Sequence, residues 1–222
     1  MRYYLYNPTG NITALVQEGS CLDVMQLEPS CEQAANIYEE QGYDIALRMS
    51  GGEFCGNACM CAAALAAKKM GIDDGNFTVF VDGTGPVKTR IKGGRGSVEM
   101  PKPLEIAEFQ GYPMVRFKGI DHLIVNGIPE NKKHWEQRIR QWCSREALGI
   151  MFLNGSVMTP LVYVKESDTL FWESSCASGT SAVGFLLDRD IKLKEPAGEM
   201  EFSNGVLSGK VELIKEISQP DE

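Results

Sequence analysis

Positive charge is scarce in this sequence. Its 222 residues include 22 lysine and arginine residues against 30 aspartate and glutamate residues, which gives a formal net charge of −8 at pH 7. Nucleic acids and anionic membranes are bound through basic surfaces, because their phosphate groups are negatively charged. The composition therefore argues against a protein that binds nucleic acid or an anionic membrane surface.

Long apolar runs are also absent. The longest unbroken run covers only residues 58–67, whereas a membrane-spanning helix needs about 20 apolar residues. The N-terminal segment contains Asn7, Pro8 and Gly10, where a secretory signal peptide would have an apolar stretch. We therefore expect a soluble, cytoplasmic protein without a membrane span.

Cysteine occurs in an odd number and at irregular spacing, which does not suit a disulfide framework for a chain of this length. We therefore expect reduced thiols. A free cysteine is most often a small buried apolar residue. Core packing is accordingly the ordinary interpretation of Cys21, Cys31, Cys59, Cys61 and Cys143.

An internal repeat organises the chain. Residues 96–100 (Gly-Ser-Val-Glu-Met) are matched by residues 209–213 (Gly-Lys-Val-Glu-Leu) at an offset of 113 positions. Each half also carries a cysteine beside small polar residues, Cys55 in the first half and Cys176 in the second. Two long copies favour duplicated lobes that face each other, since a solenoid needs three or more short repeats.

The lobes are predicted to be of the α+β class. Proline and glycine residues between positions 101 and 113 are expected to break regular structure, so we place an N-terminal lobe at 1–110 and a C-terminal lobe at 111–222. Short β-branched or aromatic runs predict strands at 3–5, 12–16, 44–49, 78–81, 87–91, 96–100, 122–125, 160–164, 170–172, 199–202 and 210–214. Helical spacing predicts helices at 58–70, 132–143 and 179–187.

Cys55 and Cys176 differ from the other cysteines because each is predicted to begin a helix. Unpaired N–H groups and the positive end of the helix dipole favour a thiolate there, so we expect lowered thiol pKa values. The same N–H groups can hold a substrate carboxylate. Two such thiols facing each other across a cleft can remove a proton from one face of a carbon and return one to the other face.

Other interpretations of the cysteines stay open. A metal site would use Cys55, Cys59 and Cys61, although Cys59 and Cys61 lie on different helix faces and no cluster completes a tetrahedral set. A cysteine hydrolase would need His122 or His134, the only histidines, as its base. The alternative from another functional class is a non-catalytic thiol protein that senses oxidants or binds a soft metal.

Three motifs resemble the signatures of the diaminopimelate epimerase family, whose members are cofactor-independent amino-acid racemases and epimerases. They are residues 7–11 (Asn-Pro-Thr-Gly-Asn), 49–58 (Met-Ser-Gly-Gly-Glu-Phe-Cys-Gly-Asn-Ala) and 175–180 (Ser-Cys-Ala-Ser-Gly-Thr). The match runs in register over nearly the whole chain. Within the family, residues 31–33, 160–163 and 172–176 resemble the histidine racemases that supply D-histidine to opine-type metallophores.

The resemblance implies two similar lobes, each a β-barrel-like sheet around a central helix, with the active site between them. It implies that Cys55 and Cys176 are the catalytic acid and base, that no metal or organic cofactor is needed, and that the partner is a small amino-acid substrate. A homodimer is left open. The substrate-binding residues implied are Asn11, Glu32, Gln33, Gly56, Asn57, Ala177, Ser178 and Gly179. Among these, Glu32 would pair with an imidazole or ammonium group, whereas backbone N–H groups at the two helix starts would hold the α-carboxylate.

The chain departs from the diaminopimelate epimerases where those enzymes grip the distal end of their substrate. They carry an Asn-Pro-His motif and a Glu-Arg pair, whereas the matching positions here are residues 120–122 (Ile-Asp-His) and 173–174 (Glu-Ser). Without the arginine, a distal carboxylate lacks its bidentate partner. We therefore predict histidine or a similar polar amino acid as the substrate, with diaminopimelate as the alternative. An isomerase that works without one thiol is disfavoured because both cysteines are present.

Overall fold

The computed structural model describes residues 1–218. The strands are β1 (Arg2–Pro8), β2 (Thr13–Glu18), β3 (Gln33–Tyr38), β4 (Ile45–Met49), β5 (Gly75–Val81), β6 (Gly85–Lys92), β7 (Arg95–Glu99), β8 (Glu105–Phe109), β9 (Tyr112–Arg116), β10 (Ile120–Asn126), β11 (Ala147–Asn154), β12 (Val157–Val164), β13 (Thr169–Trp172), β14 (Ile191–Glu195), β15 (Gly198–Ser203) and β16 (Val206–Ser218). The helices are α1 (Cys21–Leu27), α2 (Gly56–Met70), α3 (Lys132–Trp142) and α4 (Ala177–Leu187).

The first seven strands and the last strand form a closed barrel. β1 to β7 pair in chain order, β7 pairs with β16, and β16 pairs back with β1. β16 is long enough to do both, because residues 206–210 pair with β7 and residues 211–218 pair with β1. Closure removes the free strand edges that an open sheet would expose.

α2 packs against all eight strands of this barrel. The interior of an eight-stranded barrel has limited room, and the alanine-rich sequence of α2 keeps the helix narrow. The helix is buried along most of its length and ends at Gly71, which has left-handed backbone angles. The start of α2, with Cys55 before it, is therefore held by packing on all sides.

The second half of the sheet is open. From β16 it continues through β15, β14, β12, β11, β10 and β9 to β8, and β13 pairs with β12. α4 packs against strands β9 to β11, β15 and β16, whereas α3 packs against β11 and β12. None of the helices within residues 1–218 is long and apolar enough to cross a membrane.

The prediction of a barrel-like sheet with few helices is confirmed at this level, and the chain is mostly β. The prediction of two similar lobes, each built around a central helix, stays a prediction. α1, β3, β8, β9, β11 and β14 were not predicted. The first six residues of β11 are all buried, so the strand lacks the alternation of apolar and polar residues that marks a half-exposed strand.

The expectation that residues 101–113 would hold no regular structure is wrong. β8 and β9 form a hairpin across this stretch. Pro113 fits into β9 because it lies opposite Glu108 beside the turn and outside the β9–β10 ladder, so its missing N–H leaves no ladder bond unmade. The division of the chain at 110/111 falls in the turn of this hairpin and stays a prediction.

Candidate active site

Cys55 and Cys176 each stand immediately before a helix. Cys55 is the N-cap residue of α2 and Cys176 is the N-cap residue of α4, both with extended backbone angles. The Cys55 Sγ accepts a hydrogen bond from the backbone N–H of Ala58 at 3.4 Å, whereas the Cys176 side chain makes no such capping bond. Both helices begin with small residues, so bulky side chains do not cover their first N–H groups.

The N-termini of α2 and α4 lie against each other. A Cβ atom added to Gly56 would come within 3.0 Å of the Ala177 Cβ, so the first residues of the two helices are in contact. The positive ends of two helix dipoles therefore converge on one region, which favours the binding of an anion there. Glycine at position 56 permits this approach, because a larger side chain would press the helices apart.

One cavity contains both thiols. Cys55 and Cys176 both line it. Its lining also includes five of the predicted substrate-binding residues, namely Glu32, Gln33, Asn57, Ala177 and Ser178. The other three, Asn11, Gly56 and Gly179, are not among the lining residues.

Two asparagines hold the turn that leads into Cys176. The side-chain Nδ2 atoms of Asn11 and Asn57 donate to the carbonyl oxygen of Ser175 at 2.8 and 3.4 Å. Because Asn57 follows Cys55 by two residues, this shared carbonyl ties the turn before one cysteine to the helix after the other. Gly179 leaves room for the second thiol, since a Cβ atom there would lie 3.1 Å from the Cys176 Sγ.

Gln33 orients the first thiol. The Cys55 Sγ donates to Gln33 Oε1 at 3.2 Å, and Gln33 Nε2 donates to the Thr13 hydroxyl at 2.8 Å. The amide group of Gln33 is thus held in place by a second hydrogen bond. It keeps the Cys55 side chain in the cavity wall.

Glu32 is anchored to the opposite half of the chain. Its two carboxylate oxygens accept from the backbone N–H of Ser174 at 3.0 Å and from the Ser174 hydroxyl at 2.5 Å. Burial raises the pKa of the Glu32 carboxyl, and the two bonds from Ser174 oppose that rise. The Glu32 carboxylate therefore lies in the cavity wall with both oxygens already in use.

Two further buried carboxyls lie beside Cys176, and the site prediction did not include them. Glu173 lines the cavity and interacts with the Cys176 side chain. Glu195 accepts from the backbone N–H of Cys176 at 2.6 Å and from the Thr180 hydroxyl. Burial raises the pKa of each carboxyl to about 8. Glu173 could have been predicted as a site residue, because it lies only three residues before Cys176. Glu195 could not, because it lies on β14, which follows Cys176 at a distance in the sequence.

The expectation that both thiols have lowered pKa values is wrong for this arrangement. Burial raises the pKa of Cys55 to about 12. It raises the pKa of Cys176 well above its ordinary value, and the neighbouring carboxyls Glu173 and Glu195 add to the rise. The helix N–H groups do act in the predicted direction, but loss of solvent around the sulfur outweighs them.

His122 is one hydroxyl away from Cys176. Its Nε2 lies 2.8 Å from the Ser178 Oγ, which in turn lies 3.8 Å from the Cys176 Sγ. Burial lowers the pKa of His122 to about 3, so the ring is neutral at physiological pH. The other histidine, His134, is exposed on α3. No hydrogen bond in the described part of the chain joins either ring directly to a cysteine, as a cysteine hydrolase would require.

The cavity is rich in hydrogen-bond acceptors. Within residues 1–218, no lysine or arginine lines it, while three glutamates do. Three buried acceptor atoms on lining residues have no hydrogen-bond partner: Glu53 Oε2, Asn57 Oδ1 and Glu173 Oε2. Buried polar atoms are normally paired, so this cavity suits a ligand that donates several hydrogen bonds. In the same part of the chain, no three Cys, His, Asp or Glu residues are grouped as a metal site requires.

Comparison with known sequences places the chain in a family. A family model described as histidine racemase CntK N-terminal domain matches residues 1–218. This chain belongs to the histidine racemase family. It is 35% identical to a histidine racemase of Fusobacterium nucleatum subsp. nucleatum over 246 aligned positions, which cover 95% of this chain and 92% of that protein. The predicted family resemblance and the assignment to the isomerases are therefore confirmed.

Solved structures of racemase and epimerase type share the fold of this histidine racemase family member. A predicted epimerase from Pseudomonas aeruginosa superposes with a TM-score of 0.71 at 13% identity, over 100% of this chain and 99% of that one. A hydroxyproline epimerase from Agrobacterium vitis superposes with a TM-score of 0.66 at 10% identity, over 98% of this chain and 91% of that one. At these identities the likeness supports the fold alone.

The buried carboxyls predict how the stability of this family member depends on pH. Glu173 and Glu195 have folded pKa values of about 8 against an ordinary value of 4.5, so the folded chain holds protons that the unfolded chain has released. Stability is then lost as pH rises through about 8. We expect the free energy of unfolding to fall by about 2 kcal/mol per carboxyl, about 4 kcal/mol for the two, between pH 6.5 and 8.5.

Thermal denaturation across this range measures the effect. His122 opposes this fall only slightly, because its pKa of 6.5 in the unfolded chain lies at the lower edge of the range and its folded pKa of about 3 lies below it. Glu173→Gln should make the stability less dependent on pH, because an amide does not ionise, whereas Glu166→Gln on the surface should leave the dependence unchanged. Stability that rose with pH over this range would contradict a buried neutral carboxyl.

Proposed function

We propose that this protein interconverts L- and D-histidine by moving the α-proton between Cys55 and Cys176, without pyridoxal phosphate. The observation that carries the proposal is that two cysteines cap two helices whose N-termini meet, and that both thiols line one cavity. One thiol on each side of a bound amino acid is the arrangement that a two-base racemase needs.

The α-carboxylate of the substrate is assigned to the meeting point of α2 and α4. Backbone N–H groups of Gly56, Asn57, Ala177 and Ser178 are available there, with Gly179 in the same turn. Negative charge spreads onto the carboxylate as the α-proton leaves. Donors that are already aimed at that charge stabilise the transition state without reorganising.

The proton transfer needs one thiolate and one thiol. Burial and a hydrogen bond with the Glu173 side chain raise the pKa of Cys176 well above its ordinary value, which favours the proton on that sulfur and leaves Cys55 as the first base. The Cys55 thiolate takes the α-proton from one face of the carbon, and the Cys176 thiol gives its proton to the other face. After one turnover the former α-proton is on Cys55 and Cys176 is a thiolate, which is the state that acts on the opposite enantiomer.

The acceptor-rich cavity fits histidine better than diaminopimelate. The α-ammonium group and an imidazole N–H are hydrogen-bond donors, and the lining glutamates can accept from them. A distal carboxylate would lie among the same glutamates with no lysine or arginine lining the cavity within residues 1–218. Charge repulsion and the missing bidentate partner therefore disfavour a substrate with two zwitterionic ends.

The proposal assigns one catalytic cysteine to each of the two predicted lobes. Residues 1–110 form one lobe that supplies Cys55 at the start of the central helix α2, and residues 111–222 form the other, which supplies Cys176. β16 belongs to the second lobe in sequence but closes the barrel of the first. Cytoplasmic location, a homodimer and the use of D-histidine for a metallophore stay predictions.

Proton exchange in heavy water tests the substrate. L-Histidine incubated with the protein should lose its α-proton signal in NMR and give D-histidine on a chiral column, whereas diaminopimelate should react at least about 100-fold more slowly, since a site built for hydrogen-bond donors rejects a mismatched group by this order. In the early reaction, deuterium should appear in the D-enantiomer before it appears in the remaining L-histidine, because separate thiols serve the two faces. Conversion of diaminopimelate with no reaction of histidine would show that the substrate assignment is wrong.

A further inference from the structure

A third carboxylate of the cavity has no assigned role. Glu53 lies two residues before Cys55 and lines the cavity. The residue is half-buried; burial raises the pKa of its carboxyl, and hydrogen bonds from the backbone N–H groups of Gly51 and Glu53 oppose that rise. The Oε2 atom has no hydrogen-bond partner. A buried, unpaired acceptor is costly unless something fills it, so the atom indicates a ligand that donates a hydrogen bond.

The position of Glu53 is held by close packing. A Cβ atom added to Gly51 would lie 2.6 Å from the Glu53 Oε2 and 2.3 Å from the Val164 Cγ1. The carboxylate is thus confined beside the turn after β4 and close to the end of β12. Phe171 and Thr169 of β13 line the same cavity, so polar and apolar surfaces lie together in its wall.

Two other glutamates near the site already accept two hydrogen bonds each. Both oxygens of Glu32 accept from Ser174, and both oxygens of Glu195 accept from the start of α4. Glu173 also has an unpaired Oε2, but it interacts with the Cys176 side chain, so we assign it to the reacting end of the substrate. In the proposed complex the α-carbon of the substrate lies between the two thiols. Glu53 is then the lining carboxylate that remains to accept a hydrogen bond from the substrate side chain.

We propose that Glu53 determines side-chain specificity by accepting a hydrogen bond from a ring N–H of the substrate imidazole. The inference rests on the proposed racemisation of histidine and adds to it the atom that recognises the ring. A substrate whose ring lacks the N–H would leave Oε2 unpaired in the occupied cavity. Such mismatches are rejected strongly, because the buried polar group then loses its only partner.

The role of Glu53 is tested by comparing two substrates on the intact protein and on two Glu53 variants. The substrates are L-histidine and L-β-(2-thienyl)alanine, whose five-membered ring has a similar size but no N–H donor. For each, kcat/KM is measured from α-proton exchange in heavy water. The intact protein should prefer histidine by about 100-fold or more. Glu53→Leu should lose most of that preference by slowing histidine while leaving or improving thienylalanine, and Glu53→Gln should lie between the two because its amide oxygen can still accept.

The preference ratio separates recognition from folding. Both substrates are measured on one preparation, so an unfolded fraction lowers both rates and cancels from the ratio. Glu130→Gln, an exposed glutamate before α3, is the matched control for Glu53→Gln and should keep the ratio of the intact protein. An unchanged ratio in Glu53→Leu would overturn the role of Glu53 alone, whereas failure of the intact protein to exchange histidine would overturn the proposed function and this inference with it.

Discussion

Changing either Cys55 or Cys176 to serine is expected to lower the rate of histidine racemisation by about 10³-fold or more. Serine keeps the size and hydrogen-bonding ability of the side chain, but its hydroxyl is far less acidic than a thiol. It can therefore neither hold the negative charge of the base nor release a proton to the carbanion at neutral pH. Because each turnover uses one sulfur on each face, loss of either one stops both directions.

The control variant for this experiment is Cys143→Ser. Cys143 ends α3, and its Sγ donates to the backbone carbonyl of Arg145, which a serine hydroxyl can also do. That variant should keep nearly full activity. Rates from chiral chromatography, with circular dichroism to verify folding, provide the comparison. Substantial activity in either Cys55→Ser or Cys176→Ser would contradict the two-thiol mechanism.

Removing the Asn11 amide is expected to have the second largest effect. The Asn11 Nδ2 donates to the carbonyl of Ser175 in a fully buried position, immediately before Cys176. Asn11→Ala leaves that carbonyl with the longer bond from Asn57 and opens space beside the turn. We expect a loss of about 2 kcal/mol in the free energy of unfolding and a fall in kcat of about 100-fold, because a displaced reacting group is costly.

An isotope effect distinguishes positioning of Cys176 from a loss of folded protein. With α-deuterated histidine, Asn11→Ala should show a larger kinetic isotope effect than the intact protein, because a misplaced thiol makes the proton transfer more rate-limiting. A partly unfolded sample lowers the rate without changing the isotope effect. Asn76→Ala, an exposed asparagine on β5, is the matched control. Normal turnover in Asn11→Ala would show that Asn11 does not position the second thiol.

The cysteines and their helices could be predicted because the signals are local. A helix start is marked by residues within about one turn, and the repeat placed Cys55 and Cys176 at equivalent starts. The structure puts both at helix N-caps in one cavity. Asn11, Gly56 and Gly179 were predicted to bind substrate, and the structure places them outside the cavity lining, next to the turns that carry the two cysteines. Their assignment as substrate ligands stays a prediction.

Features that depend on distant segments could not be obtained in this way. β1 and β16 lie at opposite ends of the chain, and no local pattern predicts that they pair to close the barrel. Glu195 reaches Cys176 only because β14 runs beside the start of α4. The direction of the thiol pKa shifts is another such feature, because desolvation depends on everything that packs around the sulfur.

The sequence by itself determined the family, the two cysteines and the small residues that follow them, since a helix start depends on a few neighbouring residues. Only the tertiary structure decided that α2 and α4 meet end to end, and that the cavity between them is lined by glutamates without a lining cation in residues 1–218. Packing also decided that Glu53 keeps an unpaired oxygen. The physical reason is that the burial and the electrostatic environment of a side chain depend on contacts from the whole chain. A helix cap, in contrast, depends on residues within one turn.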